Sequence, residues 1–207
     1  MSDIDHPIFL ESLHRIRAWL GETGLSGLER DVLERLVHSG GDLSLATDLR
    51  FSAGACLRGA AALANGAPIL TDTAMAAAAV TPMARRTFGN PVRSILDWAP
   101  AAAPAGGTRA AEGMALALAR HPKAVVLIGS APTALERLLA LTRSGAVPPP
   151  ALVIGMPVGF VGVAESKRRL AASSLPQIRL EGSRGGAGLV AAAANALLRG
   201  AWRARGA

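Results

Sequence analysis

The sequence predicts an α/β fold: an open, mainly parallel sheet with helices on both faces, in a single domain, preceded by two N-terminal helices. Three observations predict it. Residues 124–128 and 151–155 are continuous apolar runs, too short for helices and unbroken in the manner of strands buried on both faces. Each run passes through a glycine-bearing loop into a segment of helical periodicity, from about Pro132 to Thr142 and from Ala164 to Ser173. The rhythm then repeats once more, with residues 177–180 as a short strand and 188–199 as a last helix.

The N-terminal half follows in order. Residues 6–40 read as two helices. In the first, Ile8, Leu10, Leu13, Ile16, Trp19 and Leu20 recur at helical spacing, with Pro7 near the start and Gly21 after the end. In the second, Ser26 is placed to cap a helix whose apolar stripe is Leu28, Val32, Leu33, Leu36 and Val37, and which stops at Ser39-Gly40-Gly41-Asp42. An alanine-rich helix begins at Ser52 or Ala53 and ends at Ala64, before Asn65-Gly66. Residues 67–72 form a short buried strand, with Met75 and an alanine run beyond it. Residues 100–107, all proline, alanine and glycine, are a loop, after which Thr108 caps a helix to about Ala119.

Composition narrows the functional classes. The chain has 207 residues, 50% hydrophobic, with mean hydropathy +0.32, which excludes a disordered chain. The longest apolar stretch, 53–80, is interrupted by Arg58, Asn65, Gly66, Pro68 and Asp72, so nothing approaches the roughly 20 apolar residues of a spanning helix. A soluble protein is expected, and the acidic N-terminus lacks the layout of a secretion signal, making the cytoplasm the default location. The single cysteine, Cys56, excludes an intramolecular disulfide, and His6, His14, His38 and His121 are scattered, so no metal site is expected. The net charge of +7 is carried almost wholly by arginine, Lys123 and Lys167 being the only lysines. Coding bias explains much of this, yet arginine forks also suit an anionic ligand. Nucleic acid is a poor candidate, since 4 Phe, 3 Trp and no Tyr supply few stacking surfaces.

In open α/β sheets ligands sit beyond the carboxyl ends of the strands. That singles out the loops after Leu70, Ile128, Ile154 and Leu180. The Gly129-Ser130-Ala131-Pro132 turn offers backbone N–H groups at a helix start to an anion. Gly186-Ala187-Gly188 with Ala191 resembles part of a dinucleotide fingerprint, but it stands at the last strand with no acidic residue about 20 positions on. Tight packing of the terminal helix explains those glycines better. His38 ends a strongly patterned helix and has two readings: a helix-terminal histidine favoured by the dipole, or a proton donor or acceptor. Arg35, three residues earlier, shares its face and is placed to hold a carboxylate.

Longer stretches carry a resemblance. Arg35 to Asp42, Gly66-Ala67-Pro68-Ile69, Thr71-Asp72 with Met75, Gly107-Thr108-Arg109, Ile128 to Leu135, Ile154 to Val161, Glu165-Ser166-Lys167 and Gly185-Gly186 occur in the order seen in precorrin-8X methylmutases. From about residue 7 to 198 the chain resembles that family. The resemblance implies an isomerase of cobalamin biosynthesis that moves a methyl group from C-11 to C-12 of precorrin-8X, giving hydrogenobyrinate without cofactor or metal. The family's catalytic histidine falls on His38, as general acid. Substrate-binding positions fall on Arg35 and Arg109, with Ser12, Met75, Ser130, Ser166 and Lys167 on the rim. The substrate is an anionic tetrapyrrole, to which apolar walls, helix N-termini and arginines are suited. A homodimer is implied, and no nucleic acid or membrane partner. Ser130 replaces a usual asparagine, Ala79 a usual glycine and Ser94 an expected cysteine, changes that leave His38 in place. The alternatives are a non-catalytic corrinoid carrier on the same fold, or the cobalt-precorrin-8 methylmutase of the oxygen-independent route.

Overall fold

The structure is a computed structural model and describes residues 5–205. Helix α1 (Pro7–Leu20) and helix α2 (Gly27–Gly40) come first, followed by a single turn, α3 (Leu45–Asp48), and strand β1 (Leu49–Phe51). Then come α4 (Ala55–Ala64), β2 (Ile69–Thr71), α5 (Ala74–Arg86), β3 (Val92–Ser94) and a 3₁₀ turn (Ile95–Asp97). The rest alternates regularly: α6 (Arg109–Arg120), β4 (Val125–Ile128), α7 (Pro132–Arg143), β5 (Leu152–Gly155), α8 (Val163–Ala171), β6 (Gln177–Leu180) and α9 (Ala187–Arg205).

The strands form one sheet in the order β1-β6-β5-β4-β2-β3. Every pairing is parallel except β1 with β6, which places Leu49 opposite Leu180. The expected α/β class therefore stands, with the two initial helices and the strands 177–180, 125–128 and 152–155 close to their expected bounds. The central strands β4 and β5 are buried at every position, which is why they read as uninterrupted apolar runs. On one face, α2, α4, α5 and α9 enclose a core with Val125, Leu127, Leu152 and Ile154. On the other, α6, α7 and α8 cover Leu70, Val126, Ile128 and Val153. Each such fully buried aliphatic side chain contributes about 1.5–3 kcal/mol.

Several expectations need correction. In α1 only Leu13 and Ile16 are buried, whereas Ile8 and Trp19 are 72% and 68% exposed, because α1 packs chiefly against α2, with Phe9 reaching Arg199 of α9. Ser26 occupies the N-cap of α2 but its side chain makes no capping bond. Thr108 does cap α6, accepting from Ala111 N at 3.1 Å. Helix α9 runs six residues past the expected end at Arg199, to Arg205, and is the central strut of its face. Among the described residues no helix is long and apolar enough to cross a membrane.

Candidate active site

Helices α2 and α9 run antiparallel: space at Gly40 is closed by Leu189, and space at Gly200 by Leu28. This antiparallel packing brings the C-terminus of α2, with His38 in its last turn, to the start of α9 at the carboxyl edge of β6. Gly41 then stops α2 in the left-handed conformation (φ 64°), its N–H bonded to Val37 O at 2.8 Å.

His38 is exposed, but its ring is held. The Phe9 ring from α1 meets it edge-on, centroids 5.0 Å apart and planes at 74°. An Arg35 guanidinium nitrogen lies 3.1 Å from Nδ1. The guanidinium groups of Arg35 and Arg199 lie over the Phe9 ring at 4.8 and 4.1 Å. Burial first, then the charges of Arg35 and Arg199, move the His38 pKa below the ordinary histidine value.

One residue beyond His38 a cleft of about 390 Å³ begins. It is lined by Ser39, Gly40 and Asp42 at the α2 end, Leu45 of α3, Val158 from the β5–α8 loop, and Arg184, Gly185, Gly186, Gly188 and Leu189 at the β6–α9 junction. Arg184 ties the two sides together, donating to Asp42 Oδ2 and Ser44 Oγ at 2.7 Å and to Asp48 Oδ2 at 3.0 Å. The floor is backbone on backbone. A Cβ at Gly185 would stand 1.9 Å from the Met156 carbonyl oxygen, and one at Gly129 2.7 Å from Ala187 N. Close packing thus requires the glycines at 129 and 185, whereas Gly186, whose N–H donates to Met156 O at 2.9 Å, is required by its positive φ of 131°. A Cβ at Gly186 or Gly188 would meet nothing within 4 Å, so the packing expected to explain those two glycines is not what they serve.

Asp72, which the sequence left without a role, explains the turn after β4. The chain runs β2 to β3 in one direction across the sheet and β4 to β5 to β6 in the other, so the switch point lies between β2 and β4. Ligands commonly enter there in open α/β sheets. Here the crevice holds the Asp72 carboxylate, 1% exposed, whose Oδ2 accepts from the N–H groups of Gly129, Ser130 and Ala131 at 3.0, 2.6 and 2.8 Å. The anion expected at the α7 N-terminus is thus part of the chain, and those N–H groups are not free for a ligand.

The remaining expected residues divide. Met75 (71% exposed), Ser130 and Arg109 open the helices α5, α7 and α6 at the carboxyl edge, where Thr108 and Thr133 are joined at 2.9 Å. Arg109 Nε donates to Pro100 O at 2.7 Å and so also pins the 100–107 loop. Ser12 lies on α1, half-buried, lining a shallow hollow with Pro7, Ile8, Glu11 and Arg15. Ser166 and Lys167 do not lie on a rim. Ser166 is fully buried, its hydroxyl donating to Val163 O at 2.8 Å. Lys167, 2% exposed, donates from Nζ to Gly182 O at 2.9 Å and Arg184 O at 2.6 Å, holding the β6–α9 loop from beneath. Residues missed by the sequence reading are Phe9, Arg184 and Arg199, which acquire their roles only when α1, α3 and α9 are brought together. Among the described residues no group of His, Cys, Asp and Glu could hold a metal ion.

Burial pulls the Lys167 ammonium from 10.5 down to about 8. Between those values the unfolded chain binds more protons than the folded one, so stability is expected to rise with pH, by up to about 3 kcal/mol. There is no Tyr and Lys123 is the only other lysine, but the Cys56 thiol acts in the opposite sense. Burial pushes it from 9.0 up to about 12, so the unfolded chain alone loses that proton within the window and stability falls as pH rises. With Cys56 replaced by alanine to remove the opposing titration, urea unfolding at pH 8 and pH 10.5 should show the rise, and adding Lys167→Met should abolish it.

Comparison with known proteins decides the family. A family model described as precorrin-8X methylmutase matches residues 7–200. The chain belongs to the precorrin-8X methylmutase family. It is 44% identical to a precorrin-8X methylmutase of Pseudomonas aeruginosa, over 92% of this chain and 93% of that one. It is 39% identical to a cobalt-precorrin-8 methylmutase of Synechocystis sp., over 98% and 99%. A crystal structure of precorrin-8X methylmutase from Thermus thermophilus superposes with a TM-score of 0.86 at 38% identity, covering 95% of this chain and 96% of that one. The chain is therefore a methylmutase-family isomerase of cobalamin biosynthesis, as the resemblance implied.

Proposed function

We propose that this methylmutase shifts a methyl group from C-11 to C-12 of precorrin-8X, giving hydrogenobyrinate, with His38 supplying the acidic N–H that promotes the shift. The observation that carries the reading is the position of His38: exposed, oriented by Phe9 and Arg35, and adjoining an open cleft walled by glycine backbone and Val158. A flat macrocycle needs such a wall, and a proton or hydrogen bond delivered to its edge draws electron density from the conjugated ring, easing migration. The methyl group stays within the substrate, so no group donor and no cofactor is required. Arg109, Ser12, Met75 and Ser130 are the further substrate contacts in this reading, and the net charge of +7 steers the polycarboxylate inward. The working unit is a homodimer, for which Phe160 and Val161, 95% and 89% exposed, offer apolar area.

The Synechocystis relative, named for the cobalt form and aligned over 98% of this chain, favours cobalt-precorrin-8 as a second substrate reading. A visible-absorption assay with each substrate tests both. Conversion of precorrin-8X to the hydrogenobyrinate spectrum supports the first, and turnover of the cobalt form alone replaces it with the second. A spectral shift on binding with turnover of neither would make the protein a corrinoid carrier and overturn both.

A further inference from the structure

We infer that Arg35 is a positioning residue for His38, donating from its guanidinium to Nδ1 so that the ring meets the substrate as a neutral imidazole with its one proton on Nε2. The inference deepens the reading of His38 as the acidic group and rests on it.

A guanidinium carries only donors, and it stays charged at any pH the protein meets. The 3.1 Å contact between Arg35 Nη1 and His38 Nδ1 therefore requires a lone pair on Nδ1. That fixes the tautomer: the ring proton is on Nε2, on the side away from Arg35. The Phe9 edge contact holds the ring plane, and Phe9 is itself held by Arg35 and Arg199.

The charges around the ring agree with this. From α2 it faces Arg35, from α9 Arg199, and from α1 only the apolar Phe9. The carboxylates of the cluster are engaged elsewhere: Asp5 with Arg199 and Arg203, Glu34 with Arg17 and Arg30. Asp31, from α2, faces Arg203, Arg17 and Arg199. An imidazolium would place a second N–H against the Arg35 guanidinium, with another guanidinium close by. Burial and both arginines accordingly lower its pKa.

A neutral histidine can still act as an electrophile, giving a hydrogen bond from Nε2 to the macrocycle while keeping its proton. The carboxylate-binding role first expected for Arg35 is then not its own. Half-buried and stacked on Phe9, its guanidinium is directed into the α1–α2–α9 cluster.

Nitrogen NMR of the intact, ligand-free protein with ¹⁵N-labelled imidazoles reads the tautomer directly, with the His38 signals identified by their loss in His38→Asn. The expected result at neutral pH is an unprotonated Nδ1 and a protonated Nε2. A proton on Nδ1, or on both nitrogens, overturns the inference. In Arg35→Met the tautomer preference should weaken and the titration midpoint move up toward the ordinary histidine value. Should that variant not fold, the wild-type spectrum decides alone. Kinetics give an independent reading. A neutral donor keeps its activity as pH rises above the His38 midpoint, whereas an imidazolium acid loses activity as pH rises through it. The second profile overturns the inference. If the wild type turns over neither precorrin substrate, the functional reading fails, while the tautomer measured in the free protein still decides the role of Arg35.

Discussion

Replacing His38 with alanine is expected to lower turnover of precorrin-8X by about 10²–10⁴-fold, the usual weight of a positioned acid or base, while shifting thermal unfolding by no more than about 2 °C. The two expectations are separable because of where the residue sits. His38 is exposed in the last turn of α2, after Leu36 and Val37, which carry the burial that anchors the helix. Its removal costs the edge contact with Phe9 and one hydrogen bond from Arg35, while Phe9 keeps both guanidinium groups over its ring. Initial rates by visible absorption, beside a thermal melt of the same preparation, make the check. A variant as active as wild type would remove His38 from the chemistry. Loss of activity together with a large fall in melting temperature would recast it as structural.

How much of this was legible in the sequence depends on where each element lies relative to water. Strands β4 and β5 announced themselves because both faces are covered, leaving unbroken apolar runs, whereas β6, with Gln177 and Arg179 alternating with Ile178 and Leu180, was legible from the repeating strand–helix rhythm. Strands β1 and β3 lie at the sheet edges, three residues each with an exposed arginine, Arg50 or Arg93, at the centre, and such segments carry no pattern long enough to see. Helical spacing found α1 correctly but could not tell that of its apolar residues only Leu13 and Ile16 are buried, since periodicity shows that a helix has a face without showing what lies opposite. The site behaves likewise. His38, Arg35 and the glycine loops lie in recognisable motifs, so they could be singled out. Lys167 sits in an equally recognisable motif and was misplaced, because what decides its role is a pair of carbonyls at Gly182 and Arg184, fixed only by the return of the chain through β6. Arg184 itself grips Asp42, Ser44 and Asp48, which lie 136 or more residues away in sequence.

Replacing Asp72 with alanine is expected to be among the most damaging single changes to stability, costing about 3 kcal/mol and lowering the melting temperature by about 5–10 °C. Its carboxylate serves three N–H groups through one oxygen, and alanine would leave Gly129 N, in a buried turn, with no acceptor. The helix start of α7 would also lose the negative charge that its dipole favours. Asp72→Asn keeps an acceptor oxygen without the charge and should lose only about half as much. Burial moves the Asp72 carboxyl above its ordinary value, against the pull of the three donors. The folded chain then holds this proton to higher pH than the unfolded chain, so the Asp72 contribution to stability falls as pH rises from the ordinary value of 3.8 to the folded one. Asp72 is consequently not a group whose protonation drives acid unfolding, and Asp72→Asn should not improve resistance to acid. The damage should also reach the cleft. Gly129 O accepts from Val158 N at 3.1 Å, and Gly129 packs on the backbone of Gly186 and Ala187, so a loosened turn releases both loops that wall the cleft beside His38. Asp72→Ala should therefore raise KM for the precorrin even at temperatures where the fold is intact. An unchanged KM in a destabilised variant would show that the turn supports the core and not the site.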